Sequence, residues 1–304
     1  MEDQDLAALG HLFPAGGRVA PDQMIGREGD VADLVGRLRE FTHLVLSGPR
    51  RAGKTSVCGA ACAALRDDHD FLVIEVEVPE QSSAEGVCQL VIDRAARLDL
   101  ERISQGLLKA AVPAIQSLLA EQGIPLDLSA FGAAIPDATR RSVLELPLAI
   151  ARQYECKVAL FLDELQRAVD YSDGVGLIRD LVDIYAGNPD VVLLVDGSNE
   201  RTIEQLMGSP YSMARLGQRL ALTPTMPSDQ WRAPLRDRFE RAALSISEDR
   251  LERIIEFGEE RPYDTMVGSL LVGQNARRVQ SDTIDDFVLN RGLEEARARL
   301  DEDD

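Results

Sequence analysis

Lys54 and Thr55 close the run Gly48-Pro-Arg-Arg-Ala-Gly-Lys-Thr55, which fulfils the pattern G-x-x-x-x-G-K-[ST]. Residues of these types at this spacing can hold a polyphosphate. Glycines let the backbone curl until several N–H groups face one concavity, and a helix starting there adds its partial positive charge. The Lys54 ammonium then neutralises the outer phosphates, and the Thr55 hydroxyl ligates a magnesium ion. The candidate binding stretch is Gly48, Pro49, Arg50, Arg51, Ala52, Gly53, Lys54, Thr55 and Ser56. The choice of cation is informative, because the chain has only three lysines, Lys54, Lys109 and Lys157, and uses arginine almost everywhere else. A compact ammonium suits a narrow cradle better than a broad guanidinium fork.

A second set of groups fits the same chemistry. Leu160-Phe-Leu-Asp163-Glu164 is an apolar run ending in two carboxylates. On a parallel strand these would emerge at the C-terminal edge of the sheet, where ligands bind in such folds. Asp163 is the candidate to hold magnesium through water, and Glu164 to orient and polarise an attacking water. On its own, an apolar run followed by Asp-Glu is commonly just a strand end; the phosphate-binding pattern upstream is what gives it weight. Val195-Asp-Gly-Ser198-Asn199 ends the next strand, and Ser198 or Asn199 is placed to sense a terminal phosphate or to cap the following helix. Arg215 and Arg219, at the last strand, are each placed to reach a phosphate in their own or a neighbouring subunit, or to pair with surface acid.

The surrounding elements must position these groups. Leu44-Val-Leu46 reads as a buried strand before the glycine loop, and the small residues from Thr55 to Leu65 as a helix after it. Phe71–Val78, Lys157–Leu162, Val191–Val195 and Arg219–Leu222 read as further strands. Helices are expected over 31–38, where Val31, Leu34, Val35 and Leu38 have helical spacing, and near 83–98, 102–121, 139–154 and 174–187, and the segment 123–138, with two prolines, as a loop or insertion. From Pro227 onward strand signals vanish, and helices are expected near 228–243, 247–257, 263–276 and 281–299. The division is therefore 1–23, an extended lead-in with Pro14 and Gly16-Gly17; 24–226, an α/β domain; 227–300, a helical domain; and 301–304, an acidic tail.

Composition narrows the classes. In 304 residues the formal net charge is −19, which argues against a large nucleic-acid footprint and so against direct DNA or RNA binding. No apolar run approaches the ~20 residues needed to span a bilayer. The N-terminus is acidic, unlike a secretory signal, so a cytoplasmic location without membrane attachment is expected. Cys58, Cys62, Cys88 and Cys156 have no histidine in register and read as buried free thiols rather than a zinc site.

The ordered elements Ile25-Gly-Arg-Glu28, Gly48–Ser56, Leu162-Asp-Glu-Leu-Gln166, Gly197-Ser198, Ala214-Arg215 and Arg261-Pro-Tyr263 resemble the AAA+-related P-loop ATPases, a group that includes the archaeal-type ATPases and the STAND NTPases. The resemblance covers about 24–275. It implies an α/β P-loop NTPase with a five-stranded parallel sheet core and a C-terminal helical lid over the adenine, with ATP and Mg2+ as ligands. It places Ile25 and Gly26 beside the base and Pro262 against the nucleotide. One departure is that relatives often carry paired glycines before the lid proline, whereas this chain has Glu259-Glu260. Lys54, Asp163, Glu164, Ser198 and Arg215 form the expected catalytic set, with Thr55 and Asp163 at the metal. The expected function is ATP hydrolysis coupled to lid movement and to a protein partner or a homo-oligomer. A slow nucleotide-gated switch and a DNA-associated ATPase acting with other subunits are the alternatives.

Overall fold

The computed structural model describes residues 2–303 apart from 69–70, 96, 99–136 and 209. The helix expected near 102–121, Lys109 and most of the 123–138 insertion lie outside the described residues. The described chain divides into two compact units, Val31–Gly48 with Cys58–Ala221, and Met1–Asp30 with Pro49–Val57 and Leu222–Asp304.

The first of these is α/β. Its strands are β1 (Leu44–Ser47), β2 (Phe71–Glu77), β3 (Lys157–Asp163), β4 (Val191–Gly197) and β5 (Gln218–Ala221), in the order β2-β3-β4-β1-β5. Every pairing is parallel. Strands covered on both faces need continuous apolar runs. Accordingly, all of β1 and β4 is buried, as is β3 from Val158 to Leu162, while β5 at the edge is mostly exposed. β4 lies between β1 and β3, with Ser47 opposite Gly197 and Leu162 opposite Val195. The C-terminal ends of β1, β4 and β3 therefore emerge side by side along one edge.

Helices α2 (Glu28–Arg39), α3 (Lys54–Arg66), α4 (Ala84–Ala95), α5 (Asp137–Leu144), α6 (Leu146–Tyr154), α7 (Gly174–Tyr185) and α8 (Glu200–Met207) connect the strands. Val87, Val91, Ile150, Leu177, Ile178 and Leu181 pack with β-strand residues such as Leu160 and Leu193 in one core. The single helix expected over 139–154 is two. Pro147 sits in the first turn of α6, where its missing N–H is harmless; within a continuous helix it would remove a hydrogen bond.

The other unit is helical: α1 (Glu2–Leu12), α9 (Ser228–Arg241), α10 (Glu248–Phe257), α11 (Pro262–Arg278) and α12 (Asp286–Asp303). Here the lead-in expectation is corrected, since residues 2–12 are helical rather than extended. Leu9 and Phe13, spaced i,i+4 on one face, bury against Trp231, Phe239 and Val272. The Phe13 and Phe239 rings lie 4.7 Å apart. Pro14 and the positive φ of Gly16 and Gly17 mark only where the chain leaves that helix.

Candidate active site

The glycine loop runs from the end of β1 into α3, which starts at Lys54. Gly48 (φ 154°), Arg51 (φ 67°) and Gly53 (φ 88°) take positive φ. Alternation of this kind turns successive N–H groups to one side. Glycine accommodates this conformation at two of the three positions; Arg51 adopts it as a non-glycine residue, at a strain of about 1–2 kcal/mol. Lys54 is buried, and its Nζ donates to the Pro49 carbonyl at 2.8 Å, so the ammonium is held inside the loop. Pro49 and Arg50 are exposed, Ala52 is buried, and Thr55 is half-buried. The Ser56 hydroxyl accepts from the Val19 N–H at 3.0 Å.

Within the same unit two arginines brace the loop. Arg27, 5% exposed, donates to the carbonyls of Ala52 (3.0 Å) and Thr223 (2.7 Å) and pairs with Asp30 (2.9 Å). The Arg51 guanidinium lies over the Tyr263 ring, 4.9 Å from its centre. Neither contact is readable from spacing; only the clustering of Gly26-Arg27-Glu28 among the ordered motifs pointed toward Arg27.

In the α/β unit, Asp163 ends β3 and Glu164 follows in the left-handed region at φ 58°. A non-glycine residue in this region stores roughly 1–3 kcal/mol and is held there by its surroundings. The Glu164 carboxylate meets three donors at a single oxygen, Oε2. The Ser198 hydroxyl donates at 3.1 Å, the Gln166 side-chain amide donates in a short contact, and Arg167 Nε stands 4.0 Å away. Of the two residues left open after β4, Ser198 therefore touches Glu164, while the Asn199 side chain accepts from Thr202 N–H (3.1 Å) and caps α8. Gln166 was singled out only as part of a motif; its role as a partner follows from the 3-10 turn Leu165–Asp170, which brings position i+2 back toward Glu164.

Other expected residues are placed differently. Arg215 is exposed in a 3-10 turn, and its side chain makes no ion pair among the described residues. Arg219, in β5, instead donates through Nε to the Ser47 hydroxyl (2.8 Å) and stands 3.8 Å from Glu204. Ile25 is buried in the helical core with Met226 and Trp231. Gly26 has φ 65°, and a Cβ there would stand 2.5 Å from Gln230 Oε1. Pro262 begins α11. Glu259 and Glu260 adopt φ 48° and 59°, the backbone region glycine favours.

The Thr55 hydroxyl and the Asp163 carboxylate are oxygen donors, the type that a hard divalent cation takes. All four cysteines are buried free thiols, and burial pushes Cys88 up to about 12 and Cys156 to about 11.

No family model and no curated protein matches the chain. Solved structures do. The Walker-type ATPase PABY2304 of Pyrococcus abyssi is similar at TM-score 0.58 and 16% identity, over 94% of this chain and 75% of that one. The Aeropyrum pernix ORC2 protein, solved with ADPNP and ADP, is similar at TM-score 0.64 and 15% identity, over 94% and 72%. The Aeropyrum pernix ORC1 protein, solved in complex with DNA, reaches TM-score 0.61 at 16% identity, over 96% and 69%. The α/β fold, a five-stranded parallel sheet with helices, is similar to the fold of these proteins. At this identity the likeness is one of fold, and it does not single out the STAND branch. The ORC1 structure is a complex with DNA, so the expectation from charge against direct nucleic-acid contact finds no support among these structures. Among the described residues no helix is long and apolar enough to cross a membrane.

Proposed function

We propose that this protein binds ATP with Mg2+ and hydrolyses it. One observation carries the reading. The glycine loop leaves β1, and the Asp163-Glu164 pair leaves β3, at the same edge of one parallel sheet with only β4 between them. Two strand spacings separate β1 from β3, about 10 Å, a span on the scale of a metal-bound triphosphate. Within the reading, the loop N–H groups and Lys54 hold the β- and γ-phosphates, while Thr55 and Asp163 hold the metal. The ion, when bound, neutralises phosphate charge. Glu164 orients and deprotonates the attacking water, and Ser198, hydrogen-bonded to that carboxylate, stands beside the same reacting centre. Ile25, Gly26 and Pro262 are assigned to the nucleotide on resemblance. Arg215, exposed in its 3-10 turn, is assigned to a phosphate of its own or of a neighbouring subunit.

Coupling to the helical segment is the second part of the reading. Arg27 and Arg51 tie the loop to Thr223 and Tyr263 within one compact unit, so a change in loop conformation is felt by α11. This favours hydrolysis linked to movement of the helices and to a protein partner or self-assembly. In a slow-switch version the same contacts report ATP versus ADP to the partner, which requires different partner affinity in the two states. The test is calorimetry with Mg-ATP, Mg-ADP and Mg-GTP, followed by phosphate release. Binding with turnover that collapses in Glu164→Gln supports hydrolysis, binding without turnover leaves the switch, and no uptake of any nucleotide overturns both.

A further inference from the structure

Gln166 lies in the 3-10 turn after β3, is 6% exposed, and donates its Nε2 to Glu164 Oε2. The orientation of the amide follows from this partner, since the flipped amide would set Oε1 against a carboxylate. Its Oε1 is buried without a hydrogen-bond partner among the described residues. Leaving a buried acceptor unsatisfied is costly, so the side chain is held here against its own hydrogen-bonding preference. The space it occupies is made by Gly197. A Cβ at that position would stand 2.5 Å from Gln166 Oε1 and 2.4 Å from the Ile203 methyl. The backbone of Gly197 does not need positive φ, so the glycine is required by the close approach rather than by conformation.

We propose that Gln166 is a positioning residue for Glu164, holding its carboxylate through Nε2 from a slot that only glycine at 197 leaves open. Ser198 donates to the same oxygen from β4, so the carboxylate is fixed from its own turn and from the neighbouring strand. This rests on the assignment of Glu164 as the base.

The test is a kinetic cycle on the full chain. Gln166→Met keeps the length and fills the slot but has no N–H. It lowers kcat about 10- to 100-fold, the cost of a misplaced catalytic group, while KM and the calorimetric affinity for Mg-ATP stay within about twofold. Gln166→Glu, isosteric and unable to donate as a carboxylate, gives the same split. In the Glu164→Gln background, Gln166→Met lowers the residual rate no further, because the group it positions is already gone. Wild-type kcat in Gln166→Met overturns the proposal, and so does an equal loss in both backgrounds. Full activity in Glu164→Gln alone, or no turnover in the parent, instead removes the base assignment. If Gln166→Met does not fold, Gly197→Ala displaces the amide and must show the same kcat loss with unchanged affinity.

Discussion

The Ser198 hydroxyl donates to the Glu164 carboxylate over 3.1 Å, linking the residue after β4 to the residue after β3. A contact that orients a base is worth less than the base itself. Glu164→Gln is expected to lower phosphate release at least about 100-fold, within the range for general-base catalysis, with Mg-ATP binding retained. Ser198→Ala is expected to lower it about tenfold. Asn199→Ala, which removes a helix cap, is expected to lower stability by about 1 kcal/mol and leave kcat alone. A larger kcat loss in Asn199→Ala than in Ser198→Ala would reverse the roles.

Lys54 Nζ donates to the Pro49 carbonyl at 2.8 Å. A charge-assisted contact to phosphate contributes about 1.5–3 kcal/mol, so Lys54→Ala is expected to weaken Mg-ATP binding roughly 10- to 150-fold by calorimetry. Lys54→Arg should restore little, because the buried position fits an ammonium and not a planar fork. Unchanged affinity in Lys54→Ala would place the nucleotide elsewhere.

The strands, the glycine loop and the acidic strand end were readable from the chain because each rests on local chemistry. Apolar runs mark buried strands, glycines mark backbone that must curl, and Asp163-Glu164 sets two carboxylates at the end of an apolar run. The contacts that brace these groups from distant parts of the chain were not readable, because they are long-range. Arg27 reaches Ala52 and Thr223 across 25 and 196 residues, and no periodicity encodes that. The slot under Gly197 depends on Ile203 and Gln166 meeting in space. The N-terminal helix was missed for a different reason. Pro14 and the paired glycines drew the reading toward extended chain, although Leu9 and Phe13 already carried helical spacing.

Arg27 is the main brace of the loop, and its Nε is buried without a partner among the described residues, so its other donors carry the compensation for burial. Arg27→Ala leaves two backbone carbonyls and the Asp30 carboxylate without it, and is expected to destabilise by about 3 kcal/mol. Arg27→Lys should recover less than half, because a single ammonium does not span the same carbonyls. Urea midpoints at constant slope measure both. A loss under 1 kcal/mol for Arg27→Ala would show that the brace is dispensable.

Glu259 and Glu260 occupy left-handed backbone side by side, but only one is compensated. Glu260 accepts from the Ser228 N–H through its side chain (2.8 Å) and from the Met226 N–H through its carbonyl (3.0 Å). Among the described residues Glu259 pairs only with an exposed Arg261 at 2.7 Å, a contact of little value in water. Relief of left-handed strain by glycine outweighs the added chain entropy at such a site, so Glu259→Gly is expected to stabilise by about 0.5–1 kcal/mol. Glu260→Gly should be neutral or destabilising, because it gives up the contact at the start of α9. Thermal melts of the two single variants decide it, and equal shifts would contradict the assignment.

His43 sets a pH limit on the sheet. It is buried just before β1, and its Nδ1 accepts from the Leu193 N–H of β4 at 2.9 Å. A protonated ring would present a donor to that donor. Burial holds the pKa below the usual 6.5, opposed in part by a hydrogen bond to the Tyr185 backbone. The folded state therefore binds its proton less readily than the unfolded chain. The His43 contribution is present in full above the unfolded value near 6.5 and is lost as the pH falls through it toward the folded pKa. His43→Gln cannot titrate and keeps an acceptor within reach of Leu193. Between pH 7.5 and 5.5 the melting temperature of the parent should fall more steeply than that of His43→Gln, the two curves converging on the acid side. Parallel curves over this window would mean that His43 titrates alike in both states and that its burial is relieved by solvent.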